Sequence, residues 1–164
     1  MSRSTRLATT AHIMVYLAFH EGSRVRIDDV AKSIQANPSR LRQLCGLLSQ
    51  AGFIRTYKGA RGGIRAVFSP ADVSLLDLSR CLEEMNFFSL SPHQTNKKCP
   101  IGSTIHPVIS KLYQGFNEAF QQQLKATTIQ DLVELAQSEA RGQGRPSVLA
   151  ETRQFETLLH VANA

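Results

Sequence analysis

The feature that most constrains this chain is a pair of short apolar stripes of helical spacing, joined by a connection too tight to let them separate. Ile27, Val30, Ala31 and Ile34 fall at i, i+3, i+4 and i+7, and Leu41, Leu44, Cys45 and Leu48 repeat that spacing. Asp28 and Asp29 lie in the first turn of the first helix, where the dipole favours acids. Gln35-Ala36-Asn37 connects the two. Asn37 is a good N-cap, and Pro38 bars it from helical geometry while itself suiting the first helical position. Gly52 closes the second helix. Two such helices across a three-residue connection form a helix-turn-helix.

The flanks sharpen this reading. Leu7, Ala11, Met14, Val15 and Ala18 predict an amphipathic helix over about Ser4 to His20, which Glu21-Gly22-Ser23 breaks. Downstream, Ile54-Arg55-Thr56-Tyr57 and Ile64-Arg65-Ala66-Val67-Phe68 are rich in β-formers. Between them lies the basic, glycine-rich tip Lys58-Gly59-Ala60-Arg61-Gly62-Gly63, so a hairpin, or wing, is expected. The tip lacks the Gly-Lys-Ser/Thr of a nucleotide-binding loop and joins two strands, which excludes that alternative.

Beyond Ser69-Pro70, Ser74 with Asp77 reads as a capping box opening a helix with Leu75, Leu78, Leu82 and Met85 on one face. Periodicity vanishes from Asn86 to Ser103. A long helix follows from about Ile105 to Ala126. Its apolar positions Ile105, Ile109, Leu112, Phe116 and Ala119 are spaced 4-3-4-3, and Phe120 broadens the stripe. A seam of that spacing asks for another helix, and the same helix of a second subunit supplies one. Thr128 with Asp131 caps a further helix, Gly142 to Pro146 is a linker, and a terminal helix is expected within 147–164. The organisation expected is therefore a winged helix-turn-helix domain (1–85), a sensor loop (86–104), dimerisation helices (105–140) and a linker with a tail helix (141–164). The fold class is mainly α with a small β-hairpin.

Charge divides the chain. Residues 1–70 carry eleven Lys/Arg against three acids, while residues 71–164 carry eight against ten. A net +8 on the first part and −2 on the second points to a polyanion partner for the first part alone. No run approaches the roughly 18 apolar residues of a membrane span, and no signal-peptide pattern follows the basic start. Three widely spaced cysteines make no disulfide framework, so the cytoplasm is the expected compartment. No Cys-x-x-Cys, nucleophile with an evident base or nucleotide fingerprint is present, so the chain is read as a binding protein, not an enzyme.

The second helix of the pair shows what it would bind. Ser39, Arg42, Gln43 and Gly46 lie opposite its apolar stripe, with Arg40 beside them. With the stripe on the core, this polar face enters a DNA major groove, where Arg pairs with guanine and Gln with adenine. Ser39, near the helix N-terminus, suits a phosphate. In the wing, Arg61 is the leading contact to minor groove or phosphate, with Lys58 and Arg65 in support.

Taken in order, these segments resemble the Rrf2 family of winged-helix regulators. The match rests on Leu48-Ser49-Gln50-Ala51-Gly52-Phe53-Ile54, the wing Gly59-Ala60-Arg61-Gly62-Gly63-Ile64, the Val73-Ser74-Leu75-Leu76-Asp77-Leu78 segment and Thr127-Thr128-Ile129-Gln130-Asp131-Leu132. The resemblance implies a transcription regulator, a homodimer on a palindromic operator, with the region after the wing as dimeriser and sensor. Cluster-binding members carry three cysteines before the long helix. Here Cys99 stands alone, so no iron–sulfur cofactor is expected.

The loop is instead expected to answer to an oxidant or a small-molecule effector, with Cys99 as a candidate redox switch, since it follows Lys97 and Lys98 in a polar loop and nearby cations favour the reactive thiolate. Cys45 and Cys81 lie on apolar faces and are read as core. Two alternatives stay open: a metal- or cluster-sensing regulator using His93, Cys99 and His106, and a winged module that binds protein instead of DNA.

Overall fold

Asn37 and Pro38 set the start of the second short helix as their chemistry dictates. The Asn37 side chain accepts a hydrogen bond from the Ser39 N–H at 2.9 Å, and Pro38 opens the helix. The computed structural model describes residues 3–59, 62–93, 95–145 and 147–148. Helix α1 spans Arg3–Phe19, α2 Ile27–Ile34 and α3 Pro38–Gln50; strands β1 (Ile54–Tyr57) and β2 (Gly63–Ala66) follow, then α4 (Leu75–Cys81), α5 (Pro100–Ala126) and α6 (Ile129–Gly142). The fold is mainly helical, with one antiparallel hairpin.

One core serves all of these elements except α5. Ile13, Met14 and Leu17 of α1, Val30 of α2, Leu41 and Leu48 of α3, Ile64 of β2, Leu78 of α4 and Ile129 of α6 are essentially solvent-free. Helix α1 is central to it, contacting α2, α4, α6 and β2. Its deepest face is therefore Thr10, Ile13, Met14 and Leu17, while the predicted Leu7, Ala11, Val15 and Ala18 are only half-buried at its margins. A helix packed on several sides has no single stripe for periodicity to find.

Val25 extends the hairpin into a third strand position. Its N–H donates to Ile64 O at 2.9 Å and its carbonyl accepts from Ile64 N–H at 2.8 Å. Gly63 makes that approach possible: its φ is +153°, and a Cβ there would lie 2.5 Å from Val25 O. The wing is thereby sewn to the segment leading into α2.

Both predicted capping boxes form. Ser74 N–H donates to Asp77 Oδ2 at 3.0 Å, and Asp77 N–H returns a bond to Ser74 Oγ at 3.2 Å. Thr128 and Asp131 do the same at 2.7 and 3.1 Å. The two boxes sit side by side, because Leu75 N–H donates to Thr127 O and Ile129 N–H to Val73 O, each at 2.9 Å. Helix α6 consequently packs on α1, and Ile129 and Val133 join the N-terminal core. Helix α6, expected with the long helix in the 105–140 group, thus rests within this chain on α1.

Two boundaries differ from the sequence reading. Helix α4 stops at Cys81, short of Met85, because Glu83 turns left-handed (φ +57°) and Ser79 caps the end by donating its hydroxyl to Glu84 O. Helix α5 begins at Pro100, five residues before Ile105, so the irregular segment ends at Cys99. Ser103 and Thr104 turn their hydroxyls back onto Pro100 O at 2.9 Å, in a first turn that buries almost nothing. Pro107 sits inside the helix, and Ile101 is 73% exposed, so no apolar pattern announces this opening. The expected tail helix falls largely outside the described residues.

Candidate nucleic-acid interface

Helix α3 has two unlike faces. Leu41, Leu44, Cys45 and Leu48 are buried at 4% exposure or less, while Ser39, Arg40, Arg42, Gln43 and Gly46 are exposed. The stripe thus fixes the helix, and the polar set is what an incoming ligand meets. Arg42 Nη2 donates to Asp28 Oδ1 of α2 at 3.1 Å, and Arg26 approaches the same carboxylate at 4.0 Å. All three side chains are about half exposed, so the pairs are worth little to stability but orient Arg42 across the two helices. Arg40 and Gln43 line a cleft of about 230 Å³ with Leu44, Leu47 and Arg6 of α1. Arg6 in turn pairs with the buried Glu84 carboxylate at 3.0 Å, beyond α4.

In the hairpin, Ile54 pairs with Ala66, Arg55 with Arg65, Thr56 with Ile64 and Tyr57 with Gly63. Ile54 and Ile64 face the core, so Arg55, Arg65 and Tyr57 share the outer face. Lys58 and Arg65 are exposed. Gly62 closes the turn by donating to Gly59 O at 2.8 Å, and a Cβ on it would lie 2.6 Å from Tyr57 O. Arg61, the leading wing contact expected from the sequence, lies outside the described residues. Sequence reasoning passed over Arg24, whose guanidinium stacks on the Tyr57 ring at 3.9 Å, and also Arg6, Arg26 and Arg55. Strand pairing places Arg24, Arg26 and Arg55, and the packing of α1 places Arg6; no local pattern signals either.

The predicted seam of α5 is uncovered in the single chain. Ile105, Leu112, Phe116, Ala119 and Phe120 are exposed, Ile109 is half-buried, and Leu124 is the one buried residue of the helix. The 86–90 segment packs along α5 and touches the edge of that seam at Phe116 and Phe120. Asn117 accepts from the Phe87 and Phe88 N–H groups at 2.9 and 3.0 Å and donates to Phe88 O, while Gln121 donates to Met85 O at 3.0 Å. Phe87 meets Phe120 edge-on, and Phe88 contacts Phe116.

The cysteines are not equivalent. Burial pushes the Cys45 thiol up to about 11 and also raises Cys81, against the nearby Arg6 charge. Cys99 is partly exposed at the N-cap of α5, flanked by the exposed Lys97 and Lys98. Among the described residues no three His, Cys, Asp or Glu side chains lie close enough together to hold a metal ion. The spacing of His93, Cys99 and His106 does not fold into a ligand triad: α5 starts between them and draws His106 up a helix while His93 stays in the loop. With Cys99 the single cysteine of the 86–104 segment, the donor set does not fit a cysteine-ligated cluster.

A helix pair fixed by an apolar stripe, presenting a polar helix beside a basic hairpin, is the winged helix-turn-helix of transcription regulators. The chain belongs to the Rrf2 family, described as iron-dependent transcriptional regulators, whose model matches residues 3–135. It is 25% identical over 130 residues to YwnA of Bacillus subtilis (strain 168), named as an HTH-type transcriptional regulator, covering 79% of this chain and 96% of that one. Among solved structures, the oxidised form of Staphylococcus aureus CymR superposes with a TM-score of 0.63 at 27% identity, covering 82% of this chain and 97% of that one. CymR of B. subtilis, a global cysteine regulator, has a TM-score of 0.62 at 22% identity, covering 80% and 95%, and shares the fold. No described helix is long and apolar enough to cross a membrane.

Proposed function

We propose that this chain is a cytoplasmic, homodimeric repressor that seats α3 in the major groove of each half of a palindromic operator and is tuned by oxidation of Cys99. The observation that carries the reading is the division of α3 into a buried apolar face and an exposed Ser39/Arg40/Arg42/Gln43 face. Arg42 and Gln43 read base edges, Ser39 and Arg40 position the backbone, and Lys58, Arg61 and Arg65 hold the wing on the adjacent groove. The uncovered stripe of Ile105, Ile109, Leu112, Phe116, Ala119 and Phe120 supports pairing of two copies, which places half-sites about 34 Å, or a multiple, apart. In this reading the protein works by binding, without a catalytic step and without a metal or cluster.

The existence of an oxidised form of the S. aureus relative supports a thiol signal. Cys99 is the cysteine placed to carry it, because Cys45 is buried with its thiol pushed up to about 11. At pH 8 a thiol reagent is expected to label Cys99 well before Cys45, as read by mass spectrometry; equal rates remove the distinction. The function is tested by selecting bound duplexes from random DNA with reduced and oxidised protein. A palindromic consensus is expected, with affinity falling about 10³–10⁵ between roughly 50 and 200 mM salt. Enrichment of no consensus removes the regulator reading, and oxidant-insensitive binding unaffected by Cys99→Ser removes the switch.

A further inference from the structure

The outer face of the wing sheet gathers arginines in a way folding alone does not explain. Val25 opposes Ile64, so Arg24 stands opposite Arg65, and Arg65 opposite Arg55. Three arginines therefore form one row across three strand positions, all exposed. Like charges directly opposite each other on a sheet destabilise it. Among the described residues no carboxylate pairs with Arg24, Arg55 or Arg65. Arg24 is also held in place, its guanidinium reaching diagonally across the sheet to stack on the Tyr57 ring at 3.9 Å.

We infer that this row is a phosphate-gripping surface that holds the sugar–phosphate backbone of the operator beside the segment read by α3. The inference rests on the DNA-binding reading above and extends it to Arg24 and Arg55. Adjacent strands lie about 4.8 Å apart, so the row spans about 10 Å, the axial length of about three phosphates of one DNA strand. The surface is continuous with α3: Arg26, on the same outer face, shares Asp28 with Arg42. From Arg42 the next cation toward the sheet is Arg26, and the Asp28 carboxylate between them is already engaged by both. Stacking on Tyr57 lowers the ordering cost of Arg24, as a preset phosphate contact requires.

The test uses the full chain and a duplex obtained by the selection above. Arg55→Gln/Arg65→Gln is expected to weaken binding at least tenfold, and to lower the slope of log affinity against log salt by about one unit per arginine lost. The ranking of operators with single base changes should stay the same, whereas Gln43→Ala alters that ranking. Arg55→Lys/Arg65→Lys should restore most of the slope, since a phosphate accepts either cation. Without DNA, Arg55→Thr should raise the melting temperature by relieving the cross-strand repulsion. Unchanged slope and affinity in the Gln variant, with Gln43→Ala still impaired, overturns the surface while leaving the operator reading intact. Absence of any sequence-selective binding by the unaltered chain overturns both. A lowered melting temperature for Arg55→Thr would mean the arginines serve the fold, and that too defeats the inference.

Discussion

Helices α3 and α5 carry apolar stripes of the same period, yet one stripe is hidden and the other is bare. In α3 the stripe is consumed by the chain's own core, and what remains outside is polar and cationic. In α5 the stripe is left outside, with Leu112 51% and Phe116 45% exposed. Equal amphipathicity thus has opposite outcomes, decided by what else is packed nearby. Helix α3 lies between α2 and the sheet, while α5 meets mainly α4 and the 86–90 segment. A buried stripe sets stability within one chain; a bare one, in the function proposed, is what a second copy covers. The two helices should therefore respond differently to the same kind of substitution.

The largest expected effect is on α5. Phe116→Asp should weaken self-association by about 10³-fold or more, because an isologous interface loses an aromatic burial of about 2–3 kcal/mol from each copy. Sedimentation velocity should then show monomer where the unaltered chain shows dimer; an unchanged mass breaks the comparison at its α5 end. Next, Leu48→Ala on α3 should cost about 2–5 kcal/mol in urea unfolding at fixed protein concentration, with the substituted chain still able to dimerise while folded. A loss below about 1 kcal/mol means the α3 stripe is not the anchor described. Third, Gln43→Ala should leave unfolding unchanged and cost about 1–3 kcal/mol of discrimination at one base pair per half-site, read by competition gel shifts. Smallest is Ser74→Ala, which removes one capping bond for about 1 kcal/mol.

The capping boxes also give a pH signature. Burial alone raises the Asp77 carboxyl, but bonds from Ser74 and the nearby Arg80 hold it below its ordinary value; Asp131 is held low by the Thr128 N–H and hydroxyl. For acids with depressed folded values, the stabilisation is full above the ordinary carboxylate range and disappears as pH falls through the folded values. Asp77→Asn/Asp131→Asn should flatten the acid limb of stability below about pH 4. An acid limb as steep as before shows that other carboxylates control it.

What the sequence disclosed follows a physical line. Local signals were legible: Asn37-Pro38 at a helix start, Ser74 with Asp77, Thr128 with Asp131, and the α3 stripe that sets its outward face. These are decided within a few residues. Contacts between segments distant along the chain were not legible. The stacking of Arg24 on Tyr57, the Arg6–Glu84 pair and the Asn117 clasp on Phe87 and Phe88 depend on register and docking that no short pattern encodes. The early start of α5 was hidden because an exposed turn carries no hydrophobic period. The end of α4 was hidden because Glu83 occupies a left-handed turn where glycine is the usual signal.

The pairing of Ser74 with Thr128 has a consequence for how such a chain can change over time. Everything between α4 and α6 leaves the body and returns to a point one short helix away, like a handle riveted at neighbouring holes. Segments of different length or chemistry can be fitted into that handle while the reading head keeps its shape. If the handle receives the signal, as proposed, it is free to diversify without each novelty having to rebuild the part that grips the target.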